Sequence, residues 1–160
     1  MLTPTKKSPT NPFESVAEVE LHYKIKVNPS DRPKVIASRQ AYEVLMQVYN
    51  PMTLGHHESF YALYLNRASR VLGVLKISDG GITGTVVDIR FIFQAALKLN
   101  ACSVIVSHNH PSGNLQPSEA DIKITKNLKQ GCELLDIQLK DHIIVTPENT
   151  YFSFADEGMI

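Results

Sequence analysis

Apolar and polar residues alternate strictly over one segment near the start of the chain. From Glu18 onward, charged or polar residues are interleaved with the apolar residues Val19, Leu21, Tyr23, Ile25 and Val27. Because successive side chains of a strand point to opposite faces, this pattern predicts a strand over residues 18–27 with one buried face. Residues 1–14 hold three prolines among Ser, Thr and Asn, which predicts a flexible tail before a domain over residues 15–160.

Apolar residues at helical spacing predict three helices farther along the chain. Ser38 is placed to cap the first helix, which the Asn50-Pro51 pair ends. Asp88 is placed to cap the second helix, and the third runs from about residue 118 to residue 130. Gly131 is expected to stop the third helix, because glycine readily adopts the left-handed backbone that ends many helices.

Short apolar runs predict the remaining strands. The runs over residues 60–65 and 71–77 flank a predicted hairpin turn at Asn66-Arg67-Ala68-Ser69. Further strands are expected over residues 102–106, 137–145 and 151–154. Strands and helices interleave, but the hairpin requires an antiparallel pair. We therefore expect an α/β (α+β) fold in which helices flank a mixed β-sheet.

Composition defines the broad class of protein without indicating a function. The 160 residues are 43% hydrophobic and 20% charged, which is typical of a globular protein. Sixteen basic residues balance sixteen acidic ones, so the net charge does not favour binding to nucleic acid or to a membrane surface. No membrane span and no signal peptide is recognised, which predicts a cytoplasmic protein. Cys102 and Cys132 form no CxxC pair, and both are expected to be reduced structural residues.

The segment from His108 to Asp121 holds the candidate chemistry. His108 and His110 lie two residues apart at the end of a predicted buried strand, so both imidazoles can face one ion while Asn109 points elsewhere. Ser118 is expected at the start of the third helix, which puts Asp121 in its first turn, where the carboxylate can reach the strand end. Two neutral histidines and one carboxylate form a common catalytic zinc site with an open fourth position.

A zinc hydrolase also needs a general base, for which Glu58 is the leading candidate. Glu58 lies in a polar loop directly before a predicted buried strand, where a carboxylate can face a site at the end of another strand. Asp79 and Glu43 are weaker competitors for this role.

Structural interpretations without chemistry compete for several of these residues. The run Ser118-Glu119-Ala120-Asp121 also has the spacing of a helix capping box, which is compatible with metal binding. His56 and His57 are expected to be exposed loop residues. His22 is expected on the polar face of its strand, and His142 at the edge of a strand.

The joint pattern resembles a known family. His108-x-His110, then seven residues, then Ser118-x-x-Asp121, with Glu58 upstream, match the JAMM motif of the MPN (JAB) metalloprotease domain. Longer runs resemble the bacterial RadC-like branch of this family, and the resemblance extends over about residues 35–160. These runs cover residues 65–67, 80–88, 107–118, 141–145 and 151–158. The resemblance implies an MPN/JAB fold with a cytidine-deaminase-like architecture.

The resemblance also implies a role for each residue of the motif. His108, His110 and Asp121 are the implied ligands of one Zn²⁺ per chain. Glu58 is the implied acid/base that activates the zinc-bound water. Ser118 is implied to support that water or the developing oxyanion by hydrogen bonding.

Four functions compete on this pattern. The leading hypothesis is a zinc hydrolase of the JAMM type that cleaves a peptide or isopeptide bond in a peptide or protein substrate. The alternative is a DNA-associated accessory protein. The neutral net charge argues against it, and so does the expectation of a short form without the helix-hairpin-helix region of longer RadC-like proteins. A non-catalytic MPN scaffold is disfavoured because every motif position is kept. A zinc nucleobase deaminase needs H-x-E and P-C-x-x-C, whereas the third position here is His110. The substrate and the oligomeric state are left open.

Overall fold

A five-stranded mixed β-sheet forms the centre of the structure, a computed structural model that describes residues 27–80 and 87–160. Its strands are β1 (Ser59–Leu65), β2 (Val71–Asp79), β3 (Ser103–Asn109), β4 (Gln138–Val145) and β5 (Tyr151–Ser153). The α-helices in the described ranges are α1 (Ser38–Met46), α2 (Ile89–Lys98) and α3 (Glu119–Leu134), and a 3-10 helix spans Pro29–Asp31. Three features of the sequence analysis lie outside the described residues. They are the predicted tail over 1–14, the predicted strand except its last residue, Val27, and the loop residues Gly81 and Gly84.

The strand order of the sheet is β2-β1-β3-β4-β5. The β3–β4 pair is parallel, and the other neighbouring pairs are antiparallel. β1 and β2 form the predicted hairpin, whose turn places Ser69 at a φ of 58°. The prediction of an α/β (α+β) fold with a mixed sheet flanked by helices is therefore confirmed.

The interior strand β1 explains why the sheet has helices on both faces. Every residue of β1 is buried, so its continuous apolar run serves two separate clusters. Tyr61 and Leu63 join the cluster that contains Leu45 of α1, whereas Ala62 and Tyr64 join the cluster on the opposite face, which includes α2 and α3 residues. This is the burial expected of a strand with both faces covered.

The predicted helix starts are correct at Asp88 and wrong at Ser38. The Asp88 carboxylate accepts a hydrogen bond of 3.0 Å from the backbone N–H of Arg90, which makes it the N-cap of α2. In α1 the N-cap is Ala37, and Ser38 is the first helical residue. The Ser38 hydroxyl instead donates to Asp156 at 2.5 Å, so a tertiary contact uses the group that could have capped the helix.

The prediction that Gly131 stops the third helix is wrong. α3 continues through Gly131 to Leu134, and the left-handed backbone that follows belongs to Asp136, with a φ of 54°. A Cβ atom at Gly131 would overlap the ring of Phe93, whose Cε2 atom would lie 2.7 Å away. Glycine is therefore needed here for the close approach of α2 to α3 and not for ending the helix.

The two cysteines differ in their surroundings. Both are free thiols, and Cys132 is buried as expected, with 1% of its surface exposed. Cys102 is exposed, so the expectation that it packs as a small apolar residue is wrong. In residues 27–80 and 87–160, no helix is long and apolar enough to cross a membrane.

The connection from β3 through α3 to β4 positions the candidate site. Because β3 and β4 are parallel, the chain must return along the sheet, and α3 begins beside the carboxyl end of β3. His108 is the second-last residue of β3, and Ser118 is the N-cap of α3. Clefts at the carboxyl ends of strands are the usual place for ligands in sheets of this kind.

The contact between Gly131 and Phe93 predicts an unusual response to a helix-favouring substitution. Overpacking a protein interior costs about 1–3 kcal/mol, whereas alanine favours a helix over glycine by about 1 kcal/mol. We therefore expect Gly131→Ala to lower the free energy of unfolding, as measured by urea denaturation. Phe93→Leu provides the control background. There the methyl group added by Gly131→Ala has room, so Gly131→Ala should be neutral or stabilising. An equal loss in both backgrounds would contradict the packing argument.

Candidate metal centre

His108, His110 and Asp121 bring their ligand atoms together at the end of β3. One atom of each side chain lies within 4.8 Å of the others. The Nε2 atom of His108 is 2.9 Å from Nε2 of His110 and 3.1 Å from Oδ1 of Asp121. Oδ2 of Asp121 is 3.5 Å from Nε2 of His110. The three predicted ligands are therefore adjacent in the structure, as their spacing requires.

The pleat of β3 sends neighbouring side chains to different sites. His108 faces the metal centre, and its ring is 2% exposed. Asn109 points the other way, as predicted, and binds the loop before β1: its amide nitrogen donates to the carbonyls of Leu54 and His57 at 2.7 and 2.8 Å. Its side-chain oxygen accepts from the backbone N–H of Ser59 at 2.7 Å.

Two hydrogen bonds fix the orientation of His110 just after the strand. Its backbone N–H donates to the carbonyl of Val145 in β4 at 2.9 Å. Its ring atom Nδ1 is 2.6 Å from the carbonyl oxygen of Asn114, which can only accept. In the neutral ring the single hydrogen is therefore on Nδ1, and Nε2 presents a lone pair to His108 and Asp121.

Ser118 and Asp121 form a reciprocal capping box at the start of α3. Oδ2 of Asp121 accepts from both the backbone N–H and the hydroxyl of Ser118, each at 2.7 Å. The Ser118 hydroxyl in turn accepts from the backbone N–H of Asp121 at 3.2 Å. This arrangement leaves Oδ1 directed at His108, so the capping box and the ligand geometry coexist.

The surroundings of Asp121 keep its carboxylate ionised. Burial raises its pKa, but the adjacent imidazole rings of His108 and His110 outweigh burial and hold the pKa well below its ordinary value. The neighbouring Asp121 carboxylate is the main cause that raises the pKa of His110, because it stabilises the protonated ring. An ionised carboxylate beside two imidazole nitrogens is a donor set that fits zinc.

Glu58 reaches the same cleft through the register of two antiparallel strands. Phe60 of β1 is paired with His108 of β3, so continuing the register by two residues places Glu58 opposite His110. Glu58 lines a cleft of about 470 Å³ together with the three candidate ligands. The other side chains along the cleft are Phe60, Val87, Ser112, Asn114, Gln116, Ser118, Ala120 and Ile124. The structure thus brings all five predicted site residues to one cleft.

The competing carboxylates are engaged elsewhere. Asp79 forms an ion pair with Lys76 at 2.5 Å and accepts from the hydroxyl of Ser59 at 2.8 Å. Glu43 pairs with Arg39 at 2.9 Å on an exposed part of α1. Neither residue lines the cleft that contains His108.

His142 is the residue that the sequence interpretation missed. It was expected at the edge of a strand, but β4 is flanked by β3 and β5, and the His142 side chain is completely buried. Its Nε2 atom lies 2.8 Å from Nδ1 of His108. Burial holds the pKa of His142 well below its ordinary value, so the ring is neutral. A histidine within the apolar run of a strand was the available signal, but the neighbouring strand could not be identified from it.

Comparison with known proteins assigns the family. The family model of the RadC-like JAB domain matches residues 35–159, so the chain belongs to this family. A UPF0758 protein of Flavobacterium johnsoniae is 41% identical over 126 residues, which cover 79% of this chain and 53% of that protein. A UPF0758 protein of Porphyromonas gingivalis is 33% identical over 153 residues, which cover 95% of this chain and 66% of that protein. The chain thus spans between half and two thirds of the length of these relatives.

The geometry of the cluster predicts the metal content of the purified protein. We expect the wild-type chain to retain about one zinc ion, as in sites with two histidines and one carboxylate. His108→Ala removes a ligand and should lose the ion. Glu58→Gln should keep it, because no ligand is changed. Elemental analysis by mass spectrometry measures both, and stoichiometric zinc in His108→Ala would refute the ligand assignment.

The capping box predicts that Ser118 affects both stability and metal affinity. Loss of an N-cap side chain costs about 1 kcal/mol of unfolding free energy. Freeing a ligand carboxylate lowers metal affinity by about 10-fold or more. We therefore expect both effects in Ser118→Ala, measured by urea unfolding and by zinc competition with a chelator. Ser118→Thr keeps the hydroxyl and is the control, and unchanged affinity in Ser118→Ala would show that Asp121 needs no such support.

Proposed function

We propose that the chain is a zinc-dependent hydrolase of the JAMM type that cleaves a peptide or isopeptide bond. The observation that carries this proposal is the convergence of His108, His110 and Asp121 on one point beside the Glu58 side chain. Membership of the RadC-like JAB domain family supports the same chemistry. The substrate class, a peptide or protein, is part of the proposal.

The donor set is suited to zinc. His108, His110 and Asp121 would hold a zinc ion, which would supply a Lewis acid for the scissile carbonyl and for a water whose pKa falls to about 7. Asp121 arrives ionised, and Ser118 holds its second oxygen, so the carboxylate is already oriented. His110 is oriented by the carbonyl of Asn114. Little reorganisation is needed at these groups when an ion binds.

Glu58 is proposed as the group that moves the proton. Its carboxylate takes the proton of the attacking water as the oxygen bonds to the carbonyl carbon. As the carbon–nitrogen bond breaks, Glu58 passes that proton to the departing amine. The products are a carboxylic acid and an amine, and the acid then loses its own proton to the amine or to solvent. Glu58 lines the cleft that holds the three candidate ligands, which is the position this exchange requires.

In this geometry Ser118 supports Asp121 and is not positioned as an oxyanion donor. Its hydroxyl hydrogen points to Asp121 at 2.7 Å. In our proposal Ser118 acts first by holding Asp121, and support of the developing oxyanion requires the hydroxyl to turn towards the substrate. Polar side chains along the cleft, including Ser112, Asn114 and Gln116, provide hydrogen-bonding groups for an extended peptide backbone.

Glu58→Gln tests the proposed reaction. We expect hydrolysis to fall by about 100-fold or more because general acid–base catalysis is lost, while zinc content is unchanged. The assay incubates zinc-loaded protein with a library of proteome-derived peptides and with peptides joined through a lysine ε-amine, and detects new termini by mass spectrometry.

Glu43→Gln is the matched control for this assay. It makes the same chemical change at an exposed carboxylate of α1 outside the cleft, so activity should equal that of the wild type. Equal activity in Glu58→Gln would exclude Glu58 as the base. Cleavage of neither substrate class by zinc-loaded wild-type protein would contradict the hydrolase proposal and favour a non-catalytic scaffold.

A further inference from the structure

A chain of hydrogen bonds leads from the interior of the protein to the metal centre. It begins at the hydroxyl of Thr125 in α3, which lies 2.6 Å from Nδ1 of His142. Nε2 of His142 lies 2.8 Å from Nδ1 of His108, and Nε2 of His108 faces the candidate ligands. Thr125, His142 and His108 are all buried, so no solvent replaces these contacts.

The Thr125 hydroxyl determines which atom donates and which accepts in each of these hydrogen bonds. The Thr125 hydroxyl lies 2.6 Å from the backbone carbonyl of Asp121, one turn earlier in α3. A carbonyl oxygen only accepts, so the single hydroxyl hydrogen must lie between these two oxygens. The Thr125 oxygen is then an acceptor towards His142, whose ring hydrogen must be on Nδ1.

The position of the hydrogen on His142 determines its position on His108. With its ring hydrogen on Nδ1, the fully buried His142 offers the lone pair of Nε2, which accepts from Nδ1–H of His108. The hydrogen of His108 is thereby on Nδ1, and its Nε2 atom presents a lone pair to Asp121 and His110. The reverse direction would put a hydrogen on this Nε2 atom, where it would block an ion.

Aromatic packing keeps both imidazole rings in place. The His142 ring stacks on Phe154 with centroids 4.7 Å apart and planes 13° apart. The His108 ring is within 5° of parallel to Phe60, with centroids 6.0 Å apart. Rotation of either ring would disrupt these contacts and the hydrogen bonds together, so the order of donors and acceptors is locked.

We propose that Thr125 and His142 are positioning residues that fix the tautomer of His108 in which Nε2 binds the metal ion. The inference rests on the proposed metal site, and it gives a role to two buried side chains that lie outside the cleft. Histidine ligands of metals commonly donate their second ring N–H to a partner that fixes their tautomer. Here that partner is a second, buried histidine, which is held in turn by a threonine.

The first test compares Thr125→Val with Thr125→Ser. Valine keeps the shape of threonine but accepts no hydrogen bond, whereas serine keeps the hydroxyl. Long-range ¹H–¹⁵N NMR spectra of the metal-free protein report which ring nitrogen of His108 carries the hydrogen. We expect the Nδ1–H form in wild type and Thr125→Ser, and loss of its dominance in Thr125→Val. A hydrogen on Nε2 of His108 in the wild type would overturn the proposal.

The second readout is zinc affinity, measured by competition with a chelator. We expect Thr125→Val to bind zinc about 10- to 100-fold more weakly than wild type, as is typical when the support of a ligand is lost. Thr125→Ser should stay within about 3-fold. Wild-type affinity in Thr125→Val, with the spectrum of His108 unchanged, would overturn the proposal.

Variants of His142 test the hydrogen bond between His142 and His108. In His142→Gln the side-chain carbonyl oxygen can still accept from His108, whereas His142→Leu offers no acceptor. We therefore expect His142→Gln to bind zinc more tightly than His142→Leu. Thermal unfolding identifies a variant that fails to fold, and in that case the Thr125 pair decides. The tautomer is read without metal or substrate. Absence of peptide cleavage with the expected spectra and affinities would therefore contradict only the proposed function.

Discussion

The alternation of side chains at the end of β3 is the constraint on which the candidate site depends. His108 and Asn109 are neighbours that point to opposite sides, and each organises one half of the site. His108 faces Asp121 and His110. Asn109 forms two hydrogen bonds to the loop before β1 and one to Ser59 at the start of β1, and this loop carries Glu58. One strand end therefore sets the ligands and also holds the loop of the proposed base, so a shift of a single residue in β3 would separate the two.

The predicted site residues were those whose relation is local or follows from strand pairing. His108 and His110 share a strand end, and Asp121 lies in the first turn of the next helix, so their proximity is encoded within a short segment. Glu58 is distant along the chain, and its arrival depends on the β1–β3 register, which hydrophobic patterning supports but does not fix. His142 could not be placed, because its neighbour is a parallel strand reached through a helix. Pattern alone does not indicate which strands pair in parallel.

Tertiary contacts account for the two errors in the predicted helix ends at Gly131 and Ser38. Gly131 has the residue type that ends helices, but the ring of Phe93 occupies the space where any side chain would be. Ser38 has the residue type that caps helices, but Asp156, far along the chain, accepts its hydrogen bond. In both cases a local preference was overridden by a partner that only the folded chain brings near. Asp88 and Ser118 met no such competitor, and both cap their helices as expected.

The hydrogen bonds around the cluster define the electrostatics at its centre. His110 directs its ring hydrogen to Asn114, and His108 directs its own to His142, so two ring lone pairs face each other at 2.9 Å. Asp121 adds an ionised oxygen at 3.1 Å from His108. Lone pairs and a negative charge at such distances repel unless a cation or a shared proton lies among them. The folded chain therefore holds an arrangement that is strained by itself and favourable around a cation. An ion held by this arrangement would link metal binding to folding, because it would bind the native chain far better than the unfolded one.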